Sequence, residues 1–268
     1  MPLLSRNPPP RASVRRTPPR RQRILITGAS SGLGAELARR WAADGRDLAL
    51  CARRQPELDA LQQELRRDHP AGSFETYRLD VTDDAEVQRV MGRAAEDLGG
   101  LDRVVANAGI GLGAQVGTGQ AADNRRVLQT NVIGTLNTVE AAVQQFWTAQ
   151  AGHLVIISSM AALRGLGGRM AAYSTSKAAI ATLGESVRSS LWNRPITVST
   201  IFPGYIDTAI NEDDPNKKWS VDLPTGATAL YDAIESERAR VYVPTRPWAF
   251  LAPVMRFAPL PIFRRIAG

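Results

Sequence analysis

Short aliphatic runs alternate with longer amphipathic segments from residue 23 to residue 244, and this pattern most restricts what the chain can fold into. It is the pattern of a parallel sheet whose strands are joined by crossover helices. Strands are predicted over residues 24–27, 48–52, 74–79, 103–106, 154–158, 197–201 and 240–243. Helices are predicted near 33–44, 56–69, 83–98, 122–150 and 172–192. The expected fold is therefore α/β, a doubly wound parallel sheet of about seven strands in three α/β/α layers. No internal repeat or linker-like stretch divides it, and 268 residues suffice to bury a core without disulfides or metal.

Composition narrows the function. Cys51 is the only cysteine, which excludes an internal disulfide and a thiolate metal cluster. Within Leu48-Ala49-Leu50-Cys51-Ala52 it reads as a small buried hydrophobe. His69 and His153 stand apart in no ligand-spaced motif, so no metal site is expected. The net charge of +7 resides in residues 1–23, which hold seven arginines and no acid and leave 26 basic against 26 acidic residues elsewhere. A charge-balanced body argues against nucleic acid. Residues 1–21 are read as a disordered Arg/Pro-rich tail, because such a segment cannot bury enough apolar surface to order itself.

The first predicted strand runs into Thr27-Gly28-Ala29-Ser30-Ser31-Gly32-Leu33-Gly34 and then a helix. Glycines at such a turn let backbone N–H groups approach a phosphate, and the helix N-terminus adds its positive dipole end. The spacing is not that of a P-loop, since no lysine follows Gly32. At the end of the second strand, where a carboxylate would select NAD, the chain reads Ala52-Arg53-Arg54. Guanidinium groups repel no 2′-phosphate and can clamp it, so NADP(H) is favoured over NAD(H). Further on, Tyr173-Ser174-Thr175-Ser176-Lys177 opens a helix. Residues four apart share a face, so the Tyr173 phenol and the Lys177 ammonium can meet. The cation is expected to lower a phenol pKa of ~10 and make Tyr173 a proton donor and acceptor. Ser159, ending the preceding strand, could hydrogen-bond a reacting carbonyl oxygen.

Taken in order, these motifs resemble the short-chain dehydrogenase/reductase family in its single-domain, non-extended branch, over residues 22–245. The resemblance implies a Rossmann-like fold, with cofactor contacts from Gly28, Ser30, Ser31, Gly32, Leu33, Gly34, Arg53 and Arg54. It implies further contacts from Asp80-Val81 after the third strand, Asn107-Ala108-Gly109 after the fourth and Pro203-Gly204 after the sixth. It also implies a catalytic tetrad of Asn131, Ser159, Tyr173 and Lys177. In it Tyr173 is the acid in reduction, Ser159 holds the substrate oxygen, Lys177 also binds the nicotinamide ribose, and Asn131 positions a water. Ala106 stands where the family often has asparagine, and the Gly-rich stretch 109–119 leaves a substrate-side loop open.

The expected activity is oxidoreduction of a small-molecule carbonyl or alcohol. A non-catalytic NADP(H)-binding regulator is the alternative, and an epimerase of the extended branch a third reading. Residues 205–237 are read as a mobile lid, polar in Asn211-Glu212-Asp213-Asp214 and Lys217-Lys218. Residues 247–268 are apolar but broken by prolines, so they do not form a membrane span. They are expected to dock on the domain or a subunit partner, with a membrane-interface role as the alternative, and they suggest a hydrophobic substrate. A cytoplasmic homodimer or homotetramer, with peripheral membrane contact as an option, completes the expectations.

Overall fold

The computed structural model describes residues 20–111, 113–208 and 220–267, and of 264–267 the helical backbone alone. The middle layer is a sheet of β1 (Arg23–Thr27), β2 (Asp47–Ala52), β3 (Phe74–Arg78), β4 (Arg103–Ala106), β5 (Gly152–Ile157), β6 (Ile196–Pro203) and β7 (Arg240–Val243). Its order is β3-β2-β1-β4-β5-β6-β7, with every pairing parallel. The order turns around at β1 and β4, which opens a crevice at the carboxyl ends of the strands. Around the sheet lie α1 (Gly32–Ala43), α2 (Gln55–Asp68), α3 (Asp84–Leu98), α4 (Ala121–Leu128), α5 (Gly134–Ala149), α6 (Ala171–Ser190) and α7 (Leu223–Glu235). Two more helices, α8 (Thr245–Phe257) and α9 (Leu260–Ala267), follow β7.

Strand alternation creates two cores. Ile24, Ile26, Leu48 and Leu50 face one layer, where they meet Leu37 and Trp41 of α1, Leu58 and Leu61 of α2, and Leu230 of α7. Leu25, Ala49, Cys51, Leu154 and Ile156 face the other, against α3, α5 and α6. Both sides of these strands are covered, which is why they read as unbroken apolar runs. Cys51 is fully buried, and burial pushes its thiol well up, as suits a packing role.

The predicted helices form, with local reasons visible at their ends. The Asp83 carboxylate accepts from the Glu86 N–H at the start of α3, and Gly99 closes it at φ 71°. Residues 122–150 are not one regular helix. A π-helical turn, Gln129–Ile133, joins α4 to α5.

Two expectations are corrected. The later part of the stretch read as a lid is α7, capped by Asp222, whose carboxylate accepts from the Thr225 N–H at 2.7 Å, and buried through Ala227, Leu230 and Ile234. The polar residues 211–214, 217 and 218 lie outside the described residues, as do residues 1–19 of the tail. Within the tail as drawn, Arg21 belongs to the body: it is 8% exposed and pairs with Glu237 at 2.7 Å. Residues 247–267 form two short helices, and among the described residues no helix is long and apolar enough to cross a membrane.

A buried charge network underlies the amino ends of the strands. Arg103 on β4 and its register partner His153 on β5 are both fully buried. Arg103 Nε donates to His153 Nδ1 at 2.9 Å, which leaves the Nε2 proton of a neutral imidazole to donate to Ser199 Oγ at 2.9 Å. Burial, then the charges of Arg103 and Arg21, hold the His153 pKa well below its ordinary value. Arg103 also pairs with Glu235 and lies 3.6 Å from Glu237, tying α7 and the loop after it to the sheet.

Candidate active site

The glycine turn is shaped by what packs behind it. Gly28 has φ 72°, and a Cβ there would lie 2.9 Å from Ala108 Cα, so the position needs glycine for both its conformation and its neighbour. Thr27 Oγ1 accepts from the N–H groups of Asn107 and Ala108, each at 3.1 Å. Asn107 Nδ2 donates back to the carbonyl of Thr27 at 3.0 Å and of Gly28 at 3.3 Å. The motif after β4 thus locks the turn after β1. Helix α1 begins with no side-chain cap and no acid in its first turn, so its N–H groups and dipole are left for an anion.

Arg53 and Arg54 are exposed at the end of β2 beside this turn. Arg54 donates to Ser30 Oγ at 3.0 Å and Ser31 Oγ at 2.6 Å. Beyond β3, burial acts to raise the Asp80 pKa. Hydrogen bonds from the Thr82 N–H and hydroxyl, with the charges of Arg53 and Arg78, outweigh it and leave the carboxyl below its ordinary value.

On the other side of the crevice, Ser159 follows β5 and caps a short 3₁₀ turn, Met160–Leu163. Its Oγ accepts from the Ala161 N–H at 3.1 Å, can donate to the Pro203 carbonyl at 3.4 Å, and is hydrogen-bonded to Tyr173. Lys177 is 6% exposed, donates to the Ile157 carbonyl at 2.9 Å, and has its ammonium 5.7 Å from the Tyr173 ring centroid. The expected depression of the Tyr173 pKa by Lys177 is not found. Burial pushes the phenol up, with the Ser159 hydrogen bond acting the other way, and burial brings Lys177 itself down to about 8. Two groups withdrawn from water both favour their neutral forms.

Asn131 is fully buried on the π-helical turn, and its side chain clamps residue 110. Oδ1 accepts from the Ile110 N–H at 2.8 Å, while Nδ2 donates to the Ile110 carbonyl and to Ser176 Oγ, both at 3.0 Å. π-Turns re-aim side chains in this way at functional sites. A Cβ on Gly109 would stand 3.2 Å from Asn131 Oδ1 and 3.6 Å from Lys177 Nζ, so the three positions converge.

Every residue assigned above to catalysis or cofactor contact, except Gly34 and Asn131, lines one cavity of about 490 Å³. Gly34 sits behind it, where a methyl would overlap the Gly28 carbonyl. The wall that sequence reasoning missed is apolar: Met160 and, from the C-terminal helices, Trp248, Leu251, Met255 and Phe263. Its one signal was the apolar composition of residues 247–268. Gly204 belongs to this wall, because the Trp248 indole occupies the space a side chain there would fill.

Residues 22–219, well over half of the chain, match the family model described as short chain dehydrogenase. The chain belongs to the short-chain dehydrogenases. This short-chain dehydrogenase is 44% identical over 247 residues to an uncharacterized oxidoreductase of Mycobacterium tuberculosis, a match covering 92% of this chain and 98% of that one. A short-chain dehydrogenase/reductase of Burkholderia phymatum in complex with NAD shares its fold at a TM-score of 0.77 and 24% identity, over 87% of this chain and 92% of that one. An alcohol dehydrogenase of Thermococcus sibiricus complexed with 5-hydroxy-NADP does so at 0.72 and 24%, over 82% and 94%. The protein is an NAD(P)-dependent oxidoreductase, and the family carries its Rossmann-like architecture.

Proposed function

We propose that this short-chain dehydrogenase interconverts a hydrophobic carbonyl compound and its alcohol with NADP(H), Tyr173 acting as the proton donor in reduction and the acceptor in oxidation. One observation carries the reading: Ser159, Tyr173 and Lys177 border one cavity that is also lined by the apolar side chains of Met160, Trp248, Leu251 and Met255. A carbonyl oxygen seated beside Ser159 can accept its hydrogen bond. As negative charge develops on that oxygen, Tyr173 gives up its proton, and the C=O becomes CH–OH.

The uncapped start of α1, the glycine cradle and the two arginines suit a dinucleotide with an extra phosphate. Bound there, the nicotinamide supplies the hydride in reduction and takes it back in oxidation. Asn131 acts at one remove, holding residue 110 and Ser176 and so the start of α6 on which Tyr173 and Lys177 ride.

With Lys177 near 8, its charge is lost inside the accessible pH range. The cation favours the phenolate that forms when Tyr173 gives up its proton, so kcat/KM for carbonyl reduction should fall as pH rises through about 8. A pH–rate profile flat from neutrality to well above that value would remove Lys177 from the proton step.

A panel of aldehydes, ketones and alcohols, followed by nicotinamide absorbance with NADPH and with NADH, tests the activity. Apolar carbonyls should turn over with NADPH, and turnover of none with either cofactor would sink the reading. Arg53→Asp removes a charge-assisted contact worth roughly 1.5–3 kcal/mol and adds repulsion, so NADPH affinity should drop at least about tenfold. Wild-type enzyme that binds NADH as tightly as NADPH would refute the assignment.

A further inference from the structure

Helix α8 has apolar side chains on two opposed faces. Trp248, Leu251, Ala252 and Met255 turn inward onto Met160, Phe202 and Tyr205. Phe250 and Phe257, two helical turns apart, turn outward and are 69% and 76% exposed, while Val254 between them is 44% exposed and also borders the cavity. The apolar face continues onto α9, where Leu260 is 54% and Ile262 51% exposed. Within the chain Trp248 and Phe263 are buried, whereas Phe250 and Phe257 are exposed. A helix apolar all round is ordinarily enclosed by protein or lies against lipid.

Charge decides what covers this face. From the start of α8 to the last residue the chain holds four arginines, Arg246, Arg256, Arg264 and Arg265, and no acid. Arg246 and Arg256 are exposed on α8, and the Arg256 guanidinium lies 5.7 Å from the Phe257 ring centroid. Arg264 and Arg265 lie in α9. A second copy docked about a two-fold axis would set this cationic face against itself, so that arginine meets arginine and repels. A surface both apolar and anionic satisfies the two features together: phenyl rings enter the acyl boundary while guanidinium groups remain among phosphates.

We propose that the outer face of α8 and α9 docks on an anionic lipid bilayer, lying in its interface without crossing it. The inner faces of the same helices wall the cavity through Trp248, Leu251, Met255 and Phe263. The helix pair therefore separates the site from the lipid by one helix thickness, and a lipophilic carbonyl compound or alcohol dissolved in the bilayer is delivered at the cavity's apolar side. This substrate route rests on the oxidoreductase reading above; the docking surface does not.

The test uses the full chain and needs no turnover. Wild-type protein should co-sediment with vesicles of phosphatidylglycerol and phosphatidylcholine, and at least tenfold less with phosphatidylcholine alone. The double substitution Phe250→Asp, Phe257→Asp should lower partitioning onto the anionic vesicles by at least tenfold while leaving the melting temperature unchanged, since both residues are exposed and neither lines the cavity. Arg256→Glu, which spares both rings, should weaken binding and reduce the preference for anionic lipid. Equal sedimentation of wild type and double variant, or none by wild type at low salt, overturns the proposal. So does sedimentation velocity showing a dimer that the double substitution splits without any vesicle binding, which would make a second copy the occupant. A protein that binds vesicles but reduces no carbonyl keeps the docking surface and refutes the catalytic reading instead.

Discussion

Tyr173→Phe is expected to lower turnover by roughly 10²–10⁴-fold, the usual loss when a general acid–base is removed, while cofactor affinity persists. The substitution deletes one hydroxyl from a half-buried ring that sits beside Ser159 and under Lys177, so the fold should hardly notice it. The informative measurement is kcat and KM with a substrate the wild type reduces, alongside NADPH binding by fluorescence. A pure loss of kcat assigns the phenol to the proton step. Turnover within a few-fold of wild type would show that the proton comes from elsewhere, and Ser159 would then be the next hydroxyl to test.

The second large effect is expected at Trp248, through stability. Its indole is 4% exposed, fills the space over Gly204, and has the Tyr205 ring 6.1 Å away. Truncating a buried tryptophan to alanine costs about 3–5 kcal/mol, from lost transfer free energy and the cavity left behind. In a domain of this size that corresponds to a melting temperature lower by of order 10 °C. The same change removes part of the cavity's apolar wall, so KM for an apolar substrate should rise as well. Phe250→Ala, two residues away on the opposite face, should move the melting temperature by no more than a degree or two. Equal, small shifts for both variants would mean that α8 does not brace the site, and calorimetry on the pair decides it.

The location of Gly204 shows how a residue can be found for an incomplete reason. Pro203-Gly204 was legible as a family motif implying cofactor contact, and it does border the cavity. What demands glycine there is the Trp248 indole, some forty positions later in the chain. Asn107-Ala108-Gly109 is similar: these residues line the cavity, yet Asn107 and Ala108 also hydrogen-bond to Thr27 and, for Asn107, to Gly28, so the motif also braces another motif.

By itself the sequence determined the α/β sheet and its strands, since parallel strands covered on both faces must be apolar throughout and amphipathic segments must alternate with them. It also made the motifs that line the crevice legible, because a glycine turn, two arginines, Ser159 and a Tyr-x-x-x-Lys spacing are each recognised by residue type and local spacing. Tertiary structure decided the rest. Whether Lys177 lowers the Tyr173 pKa depends on how much water surrounds both groups, and burial sets the direction against the sequence-based expectation. That Arg103, His153, Glu235 and Glu237 form one buried network depends on β4, β5 and the end of α7 meeting under the sheet, across more than a hundred residues of chain. Which face of the C-terminal helices is covered and which is exposed could not be read from an apolar run, because hydrophobicity is non-directional and only packing separates Trp248 from Phe250.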